Sequence, residues 1–267
     1  MIELYTHPMS PCAQKVRIVL TEKNLEWTGR HVDLPGKENL EPWYLQLNRL
    51  GVVPTLVEDG RAVIESSIIC EYLEDRYPDP RLRPDDPHDI ATMRFWMKQV
   101  DNKLHPSCGA LQWPVVMRDK LLALPEAEQM AKIDRVVEKP RRERQRRLLK
   151  MGLDAPDIKD AVGTYHRFIV DMEAALADSE WVVGDRFSLA DCCLAPYFQT
   201  LYQFGWNELY ENGYPRVTDW YARIRARPSY RGAVIADFPD ATLAQLREKG
   251  GEGLEKIREH RAAAAGG

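Results

Sequence analysis

Ser10, Pro11 and Cys12, within THPMSPCAQKVRIVL, place a hydroxyl and a thiol at what reads as the first helix start in the chain. Serine followed by proline is a favoured N-cap and first helical residue. Such a start presents free N–H groups and a partial positive charge, which favour a thiolate or carboxylate held against it. A hydroxyl there can donate to a bound sulfur, which makes Ser10 the candidate catalytic residue. Cys12 would have a lowered pKa if exposed. It shares a helical stripe with Val16, Val19 and Leu20, however, and is expected to face the core.

Two further polar stations lie downstream. Val53-Pro54 precedes an apolar run, and a proline fits a strand only at its edge or first residue. The pair reads either as a loop ending or as a cis bond that lets the Val53 backbone pair with a peptide ligand. Glu65-Ser66 precedes another amphipathic stretch. Ser66 or Ser67 can be a simple cap with Glu65 complementing the helix dipole. Alternatively, Ser66 holds a ligand carboxylate and Glu65 its ammonium. Ser188 and Asp191 have capping-box spacing ahead of an apolar helix and serve folding. Cys12, Cys70, Cys108, Cys192 and Cys193 have neither CxxC nor Cys/His ligand spacing, so free thiols are expected, with no disulfide and no metal.

The elements that position these residues alternate. IELYT and LEWTGRHVDL read as strands, VPTLVEDGRAVI as a hairpin turning at Asp59-Gly60, and helices fall between and after them. The order β-α-β-α-β-β-α gives a small α/β layer over residues 1–79, with a proline-dense linker at 80–89. Residues 90–240 read as all-helical; Met93, Trp96, Met97, Val100 and Leu104 form one core stripe. Residues 241–267 read as a charged helix with a low-complexity tail outside the core. PRRERQRRLLK, residues 140–150, carries five arginines. It is either a solvated helix face or a mouth that attracts acidic substrates and steadies a phenolate leaving group.

With 267 residues, 44% of them hydrophobic and 29% charged, the chain can bury a substantial core. A net charge of −4 argues against nucleic acid as partner. No apolar run approaches the ~20 residues of a membrane span, so no membrane insertion is expected. MIELYTHP lacks a signal-peptide pattern, and a cytoplasmic location is expected.

In order and spacing, Ser10-Pro11-Cys12, Val53-Pro54-Thr55-Leu56 and Glu65-Ser66 resemble the three markers of the glutathione transferase family. GDRFSLADCCLAPYF and YPRVTDWYARIRARPSY extend the resemblance through the helical half, to about residue 232. It implies an α/β thioredoxin-like N-terminal domain with an all-α C-terminal domain, glutathione as co-substrate, and a homodimer. Ser10 matches the catalytic serine, Val53 with Pro54 the backbone partner of the cysteinyl part, and Glu65 and Ser66 the γ-glutamyl site. Lys37 is the candidate for the glycyl carboxylate. The basic 140–150 segment and the linker look like the bacterial glutathione-dependent β-etherases, which cleave aryl ethers of lignin-derived dimers. The second substrate would then be small, hydrophobic and aromatic, with Trp113, Tyr197 and Tyr202 as candidate pocket residues; their periodicity alone favours core. The competing readings are a non-catalytic adaptor of the same fold that binds a protein partner, and a glutathione-dependent disulfide or dehydroascorbate reductase.

Overall fold

Alternate side chains of β1 (Ile2–Thr6) turn inward, and this strand is the axis of the N-terminal sheet. The computed structural model describes residues 1–265. After β1 come α1 (Pro11–Glu22), β2 (Trp27–His31), α2 (Pro42–Leu47), β3 (Thr55–Glu58), β4 (Arg61–Ile64) and α3 (Ser66–Arg76). The sheet order is β2-β1-β3-β4. β1 pairs parallel to β2 across the α1 crossover and antiparallel to β3, with Leu4 opposite Leu56. Asp59 and Gly60 turn the β3–β4 hairpin with φ of 50° and 78°, the left-handed pair that a two-residue turn of this twist requires.

α1 is buried on almost every side. Val16, Val19 and Leu20 pack with Leu4, Leu56, Ile69 and Leu73, while its other face meets the helical half. That half comprises α4 (Pro87–Gln99), α5 (His105–Val116), α6 (Arg118–Leu122), α7 (Glu126–Asp134), α8 (Lys139–Met151), α9 (Pro156–Ala175), α10 (Leu189–Gln203), α11 (Glu208–Glu211), α12 (Pro215–Ala226), α13 (Pro228–Ala233), α14 (Asp240–Glu252) and α15 (Leu254–Ala265). A π turn, Val100–Leu104, joins α4 to α5 without a break. The stripe from Met93 to Leu104 is core, as its spacing requires. No helix among the described residues is long and apolar enough to cross a membrane.

Two connections make the halves one body. At the C-cap of α1, Lys23 forms a buried 2.7 Å pair with Glu74 of α3 and donates to the carbonyls of Tyr77 and Pro80, which holds the start of the proline-dense segment. Glu74 also accepts from the Leu82 N–H. Beside Lys23, at the same C-terminal end of α1, the Arg227 guanidinium grips Glu22 through two 2.8 Å bonds.

The C-terminal segment corrects the expectation of a tail outside the core. α15 lies along α9 and buries Ile257, and Trp206 Nε1 donates to the Gly250 carbonyl at 2.9 Å. Gly250 is needed there, because a Cβ would come 2.1 Å from the Phe204 oxygen. Close helix approach is the physical reason for a glycine at this position. The final two glycines lie outside the described residues.

Candidate active site

Ser10 is the N-cap of α1. Its backbone is extended and its Oγ accepts the Ala13 N–H at 3.3 Å, with Pro11 opening the first turn. No acidic residue stands in that turn, so the partial positive charge of the helix start is not offset locally. The preceding loop is held on several sides. His7 accepts the Ser10 N–H through its carbonyl and the Met9 N–H through Nδ1, both at 3.1 Å. Gln14 donates to the Pro8 carbonyl at 2.8 Å, and Gln112 of α5 reaches across to the Met9 carbonyl at 3.1 Å. Burial, with the charge of His31 next, lowers the His7 pKa to about 4. Its ring therefore stays neutral and able to accept.

Cys12 does not face the core. Its sulfur lies 3.4 Å from His105 Nδ1 at the start of α5 and 3.8 Å from the Tyr197 hydroxyl on α10. It is half-buried, whereas Cys70, Cys108, Cys192 and Cys193 are fully buried. The stripe was read correctly from Val16 onward. At Cys12, however, α1 emerges from the sheet core into the seam between the two halves. Burial alone would raise this thiol. The charges of His105 and Lys15, with hydrogen bonds from His105 and Ser66, bring it down to about 6.

Lys15 lies under the same group, with no exposed side-chain surface. It makes a 2.7 Å bond to Asp101 in the π turn, a 3.5 Å contact to Ser66 Oγ and a cation–π approach of 5.4 Å to the Tyr197 ring. Burial opposes its charge, but Cys12, Cys193 and Asp101 keep its ammonium firmly protonated. Sequence reasoning missed His105 and Lys15. Ninety-three positions separate His105 from Cys12, and a lysine on an amphipathic helix reads as solvated.

The remaining N-terminal candidates lie in the loops and helix starts that follow. The Val53–Pro54 peptide is cis, and neither Val53 N–H nor its C=O is hydrogen-bonded among the described residues. Glu65, rather than Ser66 or Ser67, occupies the N-cap position of α3; its φ is 71° and its side chain makes no capping bond. Positive φ at a non-glycine residue is costly and concentrates at functional positions. Ser66 is buried in the first turn, and the buried Oγ of Ser67 has no partner. This second helix start thus retains free donors. Lys37 has φ of 67° in the loop after β2. Burial and the neighbouring positive charges of Arg141, Lys132 and Arg135 lower its ammonium to about 8.

The three aromatic candidates separate. Tyr197 is fully buried and forms the wall beneath Cys12, its ring 6.2 Å from that of His105. Trp113 packs between the main core and a small cluster of Leu121, Ile133 and Leu149, and so anchors α6–α8 to α5. Tyr202 lies elsewhere, more than a turn further along α10. Its ring is covered by Arg225 at 3.7 Å and Arg247 at 4.6 Å, so the structure does not bring it to the seam.

A thioredoxin-like layer with a cis-proline loop, a serine-capped helix start facing an all-helical half, and free donors at two helix starts define a thiol-binding transferase fold. The family model described as Glutathione S-transferase, N-terminal domain, matches residues 4–81, and that described as Glutathione S-transferase, C-terminal domain, matches 114–228. The chain belongs to the glutathione S-transferase family. It is 28% identical to Protein LigF of Sphingobium sp. strain SYK-6, covering 93% of this chain and 98% of that one. It is 30% identical to the maleylacetoacetate isomerase of Pseudomonas aeruginosa, over 91% and 100% of the respective chains. Among solved structures, that of the β-etherase LigF from strain SYK-6 superposes with a TM-score of 0.79 at 28% identity, covering 87% of this chain and 98% of that one.

Proposed function

We propose that the protein binds glutathione, its co-substrate, along the N-terminal half and directs the thiolate at an electrophilic carbon of an aromatic substrate held against the helical half. The observation that carries this reading is the α1 start: a serine hydroxyl beside free N–H groups, with no acid of the protein's own in the first turn. An ordinary cysteine-like thiol has a pKa near ~8.5, and lowering it by one to two units needs about 1.4–2.7 kcal/mol. A hydroxyl donor and a helix N-terminus together can supply that. Val53's free N–H and C=O suit the cysteinyl backbone. The donors at the α3 start, with Ser66 and Glu65, suit the γ-glutamyl end, and Lys37 the glycyl carboxylate.

The finer reading is β-aryl ether cleavage, supported by the similarity to LigF over nearly the whole chain. The glutathione sulfur forms a bond to the carbon bearing the aryloxy group, and the C–O bond breaks. The oxygen leaves with the electron pair as a phenolate, and the thioether of glutathione remains. The test is incubation with glutathione and a panel comprising a model β-aryl ether, a haloaromatic and a disulfide, with the products identified by mass. A glutathione thioether plus free phenol from the ether supports the reading. Turnover of the disulfide alone sinks it in favour of a reductase. Failure to bind immobilised glutathione favours an adaptor.

The same reading includes a homodimer. Ile68 on α3 and Phe95 on α4 are 59% and 60% exposed, an apolar pair on adjacent helices. Phe95→Glu is expected to convert a dimer to a monomer in light scattering.

A further inference from the structure

The arginine run on α8 is not one surface. Arg146 and Arg147 are ion-paired: Arg146 pairs with Asp134 and with Glu143 at 2.7 Å, and the exposed Arg147 binds both oxygens of Asp157 at 2.9 and 2.7 Å. Arg142 donates to the carbonyls of Asp134 and Val136. Arg141 and Arg144, three residues apart and therefore on one helix face, are half-buried. Neither has an ion pair or a hydrogen bond among the described residues. The Arg144 guanidinium lies against α5, with Nη2 3.6 Å from where a Gly109 Cβ would sit. Arg141, one turn before Arg144 on the same helix face, is within electrostatic reach of Cys12. Lys37, in the loop after β2 and without an ionic partner among the described residues, is acted on by Arg141, Lys132 and Arg135. Arg135 bonds Glu41 at 2.8 Å and so ties this basic segment to the N-terminal half.

The local acids do not neutralise this group. Asp157 is engaged by Arg147, and Glu138 influences Arg141 and Arg144 without pairing with either. Burial disfavours both guanidinium charges. Half-buried cations without counter-ions are costly, and a planar guanidinium pair matches a carboxylate well.

The geometry points to a carboxylate site formed by Arg141 and Arg144 at the mouth of the seam, which takes the carboxylate of an acidic aromatic second substrate. This deepens the conjugation reading by naming the class of acceptor. Binding can be tested without turnover, so the proposal can fail while that reading stands.

The experiment is calorimetric binding of benzoate and of its neutral counterpart benzamide to the glutathione-saturated protein. Benzoate is expected to bind at least tenfold more tightly. Arg141→Gln with Arg144→Gln removes that preference, with an unchanged circular dichroism spectrum showing that the fold is retained. Arg146→Gln with Arg147→Gln, an equal change in charge on the same helix, keeps it. In this comparison the proposal is overturned by equal binding of the two probes, a preference that survives in the first variant, or the same loss in both variants. A glutathione arm separates the two possible sources of carboxylate. If the first variant weakens glutathione but not its glycyl ethyl ester, the site belongs to glutathione and the acceptor assignment is wrong.

Discussion

Two helices among the described residues begin with a serine cap, and they treat the same electrostatic problem in opposite ways. At α10, Ser188 and Asp191 form a complete capping box. The buried Asp191 carboxylate accepts from Ser188 N at 3.0 Å, Val182 N at 3.3 Å and Trp220 Nε1 at 2.9 Å. Its pKa is raised by burial against those bonds. The helix start there is closed by an anion of the chain itself. At α1, Ser10 takes one N–H and no acid follows, so the positive end is left for an anion from outside. The lesson is that a cap becomes a site when the chain withholds its own counter-charge.

The largest expected effect comes from breaking the closed cap. Asp191→Ala strands four buried donors, the Ser188 N–H and hydroxyl, the Val182 N–H and Trp220 Nε1, and each stranded group costs about 1–3 kcal/mol. It is expected to lower stability in urea denaturation by more than ~3 kcal/mol. Ser10→Ala should do the reverse. The lost cap costs only about 1 kcal/mol, whereas kcat/KM for conjugation falls tenfold or more, about 1.4 kcal/mol or above in transition-state energy. An Asp191→Ala protein of wild-type stability, or a Ser10→Ala enzyme of wild-type rate, breaks the contrast.

Much of this was legible in the chain. Ser10-Pro11, Ser188-x-x-Asp191 and Asp59-Gly60 are local signals whose side chains act within a few residues of themselves, and the strand and helix periods placed the elements around them. The seam was not legible. A helical stripe gives the direction in which Cys12 points but not where along α1 the core ends. His105 joins Cys12 only because the π turn delivers the start of α5 to the start of α1. The arginine run has the composition of a solvated face, and only the exposed Arg147 among its paired members behaves as part of one. Its division into paired and unpaired members depends on Asp134, Asp157 and α5, which only the fold brings near.

The next effect tests the seam directly. Cys12, alone of the five cysteines in being less than fully buried, should be the residue alkylated by iodoacetamide in the native protein. Its rate should rise through a midpoint of about 6, against ~8.5 for an ordinary thiol. His105→Asn removes the largest of the influences that lower it, so the midpoint should move up by a unit or more. An unmoved midpoint would show that Lys15 and Ser66 suffice, and would detach α5 from the chemistry of α1.

The smallest effect concerns the loop that keeps the α1 cap open. His7 must be neutral for Nδ1 to accept the Met9 N–H, and its folded pKa of about 4 lies below the 6.5 of an unperturbed histidine. Between those values the unfolded chain binds a proton that the folded chain refuses, so stability falls as pH drops from about 6.5 toward 4. His7→Gln can still supply a neutral acceptor but has nothing to titrate. Its denaturation midpoint should therefore fall less steeply over that range than the wild type's, by up to one proton's contribution. The closed cap at α10 involves no histidine in its bonds. Asp191→Asn should accordingly leave the wild-type slope between pH 4 and 6.5 unchanged in its His7 component, which a double variant with His7→Gln would isolate. Parallel slopes for wild type and His7→Gln would mean that the Ser10 loop does not depend on a neutral His7.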